Sequence, residues 1–587
     1  MSFKKYFNFA NLRLAWERML RWTDPTVKDY WGIKVFESNL DQKLNQLSQK
    51  LINGEYAPIR PQKFYVPKPS GTQRTKTKLM VQDALVYQAI VNIIAYESYE
   101  KLSEYDYCVF GNVLNEEVEE GVELLSSVDS EKTPTFFFFK SYPNLYNDFA
   151  TFVNTIIVED EIRFKLETDI TGFFDTIPHF RLLSKLSDEY SVEDEILELL
   201  SDCLDCWSGT REQETFDIGI PQGPDPSFFL ANIILHDLDV LMEEKGVDGY
   251  CRYMDDIRIY DNDTNNLFSA MIEIDKYLKG YALSLNSSKT QIKEILDKDS
   301  DDSIIDFHVD YESADMEVSK ILDKLYKEHG LEDKFSHQAK RTTKNKKITY
   351  EEVSGKENII KFWKEELSFV ENRFPIFIDN NSQGQLELIA TKSNVERKFL
   401  DLAFKYRIAL QNLKSLINVE ETESNGETPS LMSLVKIEDI ESYENTLKYW
   451  LFLLNQYPWR AYHYCMVLNE FPTDENLKKG LFKLIETFQF YEWTVHHLFL
   501  TLSISQKFEE TELDALIDSI SRYTDYGKVG LYKLLIYHCE TELLNSKLYS
   551  LLQKEPNKYL KKELIDFFIE KRSGNFDSND LFKSFGL

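Results

Sequence analysis

Two adjacent carboxylates, Asp255 and Asp256, lie in the string CRYMDDIRIY, residues 251–260. Tyr253, Met254, Ile257, Ile259 and Tyr260 around them favour a half-buried hairpin. Like charges held beside apolar surface repel each other and lose hydration unless a cation neutralises them. The string therefore supports two readings, a polar hairpin turn or a divalent metal site, and only structural context separates them. An internal control exists in DKDSDDS, where Asp301 and Asp302 sit among Asp, Ser and Lys and read as a solvated loop.

Metal-dependent phosphoryl transfer needs another hard oxygen ligand from a different element. In RFKLETDITGFFDTIPHF, Phe164, Leu166 and Thr168 alternate with Lys165, Glu167 and Asp169, which predicts a strand ending at Asp169. Asp175 or Thr176 is expected to cap a following helix with Pro178 in its first turn, and capping is sufficient to explain Asp175. Between these strings lies GIPQGPDPSFFLANIILHDLDVLM, where Gly219, Pro221, Gly223 and Pro224 predict a tight loop before a helix from Ser227 to a stop at Gly246. Such a loop lets backbone approach a ligand, and Gln222 and Asn232 are polar positions able to meet a nucleotide or template base.

The elements that must hold these residues are legible as a coarse pattern. Residues 1–60 read as helical, with LDQKLNQLSQKLINGEY an amphipathic helix stopped by Gly54. Strands and helices alternate over 61–310, and 311–587 is almost wholly helical, with polar interruptions at Lys340–Lys347 and Glu420–Ser430. The second interruption, near 420–430, reads as a linker; the first reads as a solvated basic loop or a nucleic-acid contact. From about residue 435 paired helices recur without a strict period, in the manner of a HEAT-like helical repeat. Trp450, Trp459 and Trp493 read as core rather than base-stacking residues.

The chain has 587 residues and net charge −31, yet residues 1–90 carry 15 Lys+Arg against 7 Asp+Glu. That basic end suits a phosphate-facing surface on an acidic body. Six cysteines in so long a chain do not make a disulfide framework, and the CLDC spacing of Cys203 and Cys206 lacks the partners of a zinc site. No apolar run long enough to span a membrane and no secretory leader pattern occurs, so no membrane partner and a cytoplasmic location are expected.

Taken in order, DITGFF, PQGPDPSFFLANI, YMDD and LSLNSSKT resemble the palm motifs of reverse transcriptases, and VPKPSGTQRTKTKLMVQDALVYQAI resembles their fingers segment as found in group II intron and other bacterial enzymes. The resemblance covers residues 50–295. It implies an α+β right-hand polymerase, with an antiparallel palm sheet and helices, followed by the all-α region. It implies Asp169, Asp255 and Asp256 as ligands of two Mg2+ ions, with Mn2+ as a substitute. Lys68 and Arg74 match the triphosphate-binding pair, Phe174 the sugar-sensing position that rejects a ribose 2′-hydroxyl, Gln222 a contact to nucleotide and template, and Lys289 a lysine that protonates pyrophosphate. The implied partners are dNTPs, an RNA template or non-coding RNA, and a DNA product; homo-oligomerisation is left open.

Departures from the pattern narrow the type. The usual primer grip is not evident, the nearest string being IDFHVD, Ile305–Asp310. Retron signatures, an HNH endonuclease tail and a ribonuclease H constellation are missing from the sequence, and Arg460 and His463 stand too close together for a HEPN ribonuclease. The long helical tail resembles the abortive-infection and defence-associated bacterial reverse transcriptases, some of which prime from a protein or work without a template. Two alternatives are a mobile-element enzyme, which would need a basic tail, and a non-catalytic nucleic-acid-binding scaffold, in which loss of a carboxylate is expected.

Overall fold

A computed structural model of the protein describes residues 5–115, 137–159, 162–213, 215–295, 364, 367–381, 385–388, 395–421, 437–471 and 473–574. Asp301, Asp302, Ile305–Asp310, Lys340–Lys347 and nearly all of Glu420–Ser430 lie outside the described residues. The chain divides into two units, one drawn from Met1–Phe64 and Thr75–Asp310, the other from Tyr65–Arg74 and Tyr311–Phe585.

The first unit contains helices α1 (Phe9–Met19), α2 (Tyr30–Glu37) and α3 (Leu40–Ile52); β1 (Gln62–Pro67) and β2 (Gln73–Lys78), which follow, form a two-stranded sheet. Helix α3 buries Leu44, Leu47, Ser48 and Leu51 at helical spacing and ends before Gly54, whose φ of +69° suits a residue without Cβ. The long α4 (Val81–Ser103) is buried on nearly every side over its first four turns. It receives α1 on one flank and the helices α7 (His179–Tyr190), α8 (Asp194–Trp207) and α9 (Asp225–Glu244) on others.

The four-stranded sheet has the order β4-β5-β3-β6, from Tyr250–Tyr253, Asp256–Asp261, Phe164–Thr168 and Gln291–Glu294, with antiparallel pairing throughout. Leu166, Ile257 and Ile259 are fully buried on one face because alternate residues point to opposite sides. On the other face Cys251 and Tyr260 join Phe110 and the apolar side of α5 (Tyr142–Glu159), through Phe149, Val153, Ile156 and Ile157. A short α6 (Phe173–Thr176) follows β3, and α10 (Thr264–Gly280) packs on β3 and β5. This is the expected palm-type antiparallel sheet with helices.

The expected cap after β3 is corrected. The chain makes the one-turn α6 from Gly172, φ +57°, and α7 starts separately after Pro178 with no side-chain cap. Thr176 instead gives its hydroxyl to Gly172 O, 3.0 Å away.

In the second unit a short α11 (Phe374–Phe377), the ribbon β7 (Ile378–Asn380) with β8 (Leu386–Leu388), and α12 (Val395–Glu421) precede a two-layer helical stack. One layer contains α13 (Ile437–Gln456), α15 (Glu475–Thr487), α17 (Glu510–Ser519) and α19 (Glu542–Lys554); the other contains α14 (Ala461–Leu468), α16 (Glu492–Ser505), α18 (Asp525–His538) and α20 (Lys558–Ser573). Sequence sets the layers: α15 buries one stripe, Leu477, Leu481, Leu484 and Ile485, whereas α16 is buried on all sides and must lie inside. Gly530 allows α16 and α18 to touch, since a Cβ there would come within 2.6 Å of His496 O. Trp450 and Trp493 are core residues, while Trp459 is half-buried and donates its indole N–H to Glu396 at 2.9 Å.

Candidate active site on the four-stranded sheet

Strands β4 and β5 pair Tyr253 with Asp256, so Met254 and Asp255 are the two residues of a tight hairpin turn. Met254 has φ +55°, a left-handed backbone that costs a non-glycine residue energy and persists only where the surroundings enforce it. The segment Phe110–Gly111 does so. Gly111 lies so close that a Cβ on it would meet Met254 N at 2.5 Å, and the Phe110 N–H donates to Arg252 O at 2.9 Å.

Behind the turn Arg252, 1% exposed, forms two 2.7 Å bonds to Asp239 of α9 and a third to Asn232 Oδ1. Tyr250 donates its hydroxyl to the same Asp239 at 2.7 Å. Asn232 in turn donates to Gly111 O at 2.9 Å and Asn112 O at 3.1 Å. This corrects the expectation that Asn232 meets a base: it is buried and committed to the scaffold of the turn.

Cross-strand register explains how the carboxylates meet. Glu167 pairs with Arg258 and Thr168 with Ile257, so one step further Asp169 faces Asp256. Opposed like charges on neighbouring strands are destabilising. Asp169 is anchored by Asn286 N–H, which donates to its carbonyl at 2.8 Å, and the Asn286–Lys289 turn brings the Lys289 ammonium onto Asp169 Oδ2. The second oxygen, Asp169 Oδ1, is buried and has no hydrogen-bond partner.

Asp256 has a 3.5 Å ion pair with Arg258, whose guanidinium lies over the Phe149 ring. Crowding by protein atoms raises the Asp256 carboxyl above its ordinary range; Arg258 opposes this, and the charges of Glu167 and Asp169 add to it. Burial also pushes Glu167 upward, but Lys165 at 3.0 Å and Lys293 at 2.9 Å outweigh it and hold this carboxyl low. Arg258 and Glu167 were not singled out in the sequence, although each stands two residues from a carboxylate on a strand, which puts it on the same face.

Among the described residues, no three His, Cys, Asp or Glu side chains are gathered to hold a metal ion. Asp169 and Asp256 face each other as like charges, and Lys289 donates to one oxygen of Asp169. The donors nonetheless suit Mg2+ or Mn2+, since a buried carboxylate oxygen without a hydrogen bond faces a second carboxylate.

Phe174, 7% exposed, lies on α6 with its ring edge-on to Phe228 at 5.3 Å. Its carbonyl accepts from Ile220 N–H at 2.7 Å, which joins α6 to the GIPQG loop. Gln222 is half-buried, and its carbonyl accepts from Thr77 N–H of β2 at 2.9 Å. Lys68 and Arg74 belong to the second unit, Lys68 opening a turn closed by its N–H to Thr72 O at 2.7 Å and Arg74 lying on β2. Cys203 and Cys206 form no disulfide, and burial pushes the Cys203 thiol far up.

An antiparallel sheet presenting carboxylates at a hairpin turn and at the end of the adjacent strand is the arrangement of a polymerase palm. Residues 66–304 match the family described as reverse transcriptase (RNA-dependent DNA polymerase). A 79-residue stretch is 38% identical to an uncharacterized 91 kDa protein in the cob intron of Schizosaccharomyces pombe, covering 13% of this chain and 10% of that protein. The chain thus spans about a tenth of that relative's length. Among solved structures, it is similar to telomerase from Candida albicans in complex with a fragment of telomeric RNA (11% identity, 76% of this chain and 68% of that one, TM-score 0.30). Apo telomerase from Candida tropicalis, truncated from the C-terminal domain, gives 14% identity, 44% and 56% coverage, and a TM-score of 0.28. Among the described residues no helix is long and apolar enough to cross a membrane.

Proposed function

We propose that the chain is an RNA-directed DNA polymerase that adds dNTPs to a primer end, with Asp169, Asp255 and Asp256 as its metal-binding carboxylates, and that it serves bacterial antiviral defence. The observation that carries the polymerase reading is Asp169 Oδ1, a buried carboxylate oxygen without a partner, opposite Asp256 inside a reverse transcriptase domain. Divalent ions held there would supply the positive charge that acidifies a primer hydroxyl and stabilises departing pyrophosphate.

The protein's own residues have distinct tasks in this reading. Arg258 restrains Asp256, so that carboxylate enters the reaction already oriented. Lys289 carries a proton that Nζ can pass to the leaving pyrophosphate once it lets go of Asp169. Phe174 offers a flat ring against which a ribose 2′-hydroxyl would clash, which selects deoxynucleotides. Gln222 is assigned to the nucleotide and template, Lys68 and Arg74 to the triphosphate, where a guanidinium makes bidentate contact and an ammonium acts as a point charge.

The acidic helical region favours a defence enzyme over one that grips its own intron RNA. A second reading, a mobile-element reverse transcriptase, is favoured by the cob-intron relative. Isolating the protein with its bound nucleic acid separates them: intron-derived RNA supports the second reading, while a covalent DNA–tyrosine link or an unrelated non-coding RNA supports the first. Loss of phage protection in a strain carrying Asp255→Ala is expected; full protection refutes the defence role of the polymerase centre.

A further inference from the structure

The second half of the loop that carries Gln222 has few groups with which to hold itself in place. Pro221 and Pro224 have no N–H to donate, and Gly223 has no side chain to pack and sits at φ +124°. Besides the Ile220–Phe174 bond, its support comes from Thr23–Asp29, seven of the ten residues between α1 and α2, around the short 3-10 turn Pro25–Val27.

Each side of this segment is tied to something different. Thr23 gives its N–H at 2.9 Å and its hydroxyl at 2.7 Å to Asp225 Oδ1, in the first turn of α9 just after the loop. Val27, 1% exposed, fills the space beneath Gly223, where a Cβ would come within 2.4 Å of Val27 Cγ1. On its other side Asp24 uses Oδ1 to cap the turn, accepting from Thr26 N–H at 3.0 Å, and Oδ2 to pair with Lys76 of β2 at 2.6 Å. Both side chains of that pair are largely withdrawn from solvent, at 15% and 14% exposure. Asp29 caps α2 and lies 3.8 Å from Lys78. One residue from Lys76, Thr77 donates directly to Gln222 O. The segment therefore clamps the β2 strand and the Gln222 loop onto each other, across about 200 positions of sequence in the case of Thr23 and Asp225.

We propose that Thr23–Asp29 is a positioning strap for the Gln222 loop, and that Asp24–Lys76 and Val27 set how well the loop holds an incoming nucleotide rather than how fast it reacts. The inference rests on the polymerase reading for its kinetic consequence, though not for the clamp itself. None of these residues touches the reacting atoms.

The test uses the full chain carrying Lys76→Met, Lys76→Arg or Val27→Ala, read by steady-state dNTP incorporation and by hydrogen exchange of peptides containing Thr77 and Gln222. Lys76→Met is expected to raise KM for dNTP fivefold or more with kcat within twofold, and to speed exchange at both peptides. Lys76→Arg should restore both, since a guanidinium can meet Asp24. Val27→Ala, which removes no charge, should raise KM and exchange as well; a lost phosphate contact could not produce that. Unchanged KM or unchanged exchange in both Lys76→Met and Val27→Ala overturns the proposal. Should the wild-type protein fail to incorporate dNTPs, the polymerase reading falls, and exchange alone decides the strap: faster exchange upholds it and unchanged exchange overturns it.

Discussion

Lys289 can be tested by asking which of two sizes its loss takes. Its ammonium sits on Asp169 Oδ2, but the lysine side chain is 66% exposed against 16% for the aspartate. An ion pair with one partner so open to water contributes under about 1 kcal/mol. Removing it with Lys289→Met should therefore change the stability of the ion-free protein only slightly, and tighten divalent-ion binding by no more than about fivefold. A proton donor to pyrophosphate is a larger matter, worth roughly 10²–10⁴ in rate. Lys289→Arg separates the two, because a guanidinium keeps the pair with Asp169 but does not give up a proton. The assay is single-turnover dNTP incorporation at saturating Mg2+, with Mg2+ affinity followed independently by thermal shift. We expect both variants to lose about 10²-fold or more in rate, and only Lys289→Met to bind Mg2+ more tightly. A rate within fivefold of wild type in both variants refutes proton delivery by Lys289, and weaker Mg2+ binding in Lys289→Met refutes the argument that it competes with the ion.

The remaining expectations concern the carboxylates, sugar choice and the scaffold. Asp255→Ala with Asp256→Ala should abolish dNTP incorporation while far-ultraviolet circular dichroism stays unchanged; undiminished synthesis would remove them from catalysis. Phe174→Ala should admit ribonucleotides, seen as a rise in rNTP incorporation relative to dNTP; constant discrimination would rule out the ring as the sugar sensor. Arg252→Met should leave Asp239 buried without its cation and destabilise the protein by about 3–5 kcal/mol, measured by urea denaturation. Burial lifts the Asp225 carboxyl to about 7, against the Thr23 hydrogen bonds and Lys28, so the folded state holds this proton more tightly than the unfolded chain. Its contribution is therefore present at acid pH and lost as pH rises through 7, and Asp225→Asn should lose less stability than wild type between pH 4 and pH 7; parallel pH profiles would contradict this.

Alternation made the strand before Asp169 and the hairpin around Asp255 and Asp256 legible, because a half-buried sheet writes its two faces into every second residue. The helical region was legible in kind for a related reason. Helices buried on all sides, such as α16, alternate with single-striped ones, such as α15, and that alternation is the trace of two layers. What escaped was whatever depends on partners distant in sequence. Asn232 looked available because its hydrogen-bond partners, Gly111 and Asn112, lie about 120 positions away. The cap assigned to Asp175 or Thr176 failed because Gly172 begins an extra turn that a local propensity argument does not foresee. The strap had no sequence signal at all: Thr23, Asp24 and Val27 are ordinary turn residues until Asp225, Lys76 and Gly223 are beside them.

The position of β3 has a consequence for how the chain must be made. It lies between β5 and β6, yet it leaves the ribosome before either of them. For about 90 residues of synthesis, the strand that leads to Asp169 has two unpaired edges and an uncovered Leu166. The β4–β5 hairpin, by contrast, closes locally and can dock as a finished piece. Productive folding thus waits on a long-range pairing, and β3 is the segment whose edges a chaperone would most need to cover until that hairpin arrives.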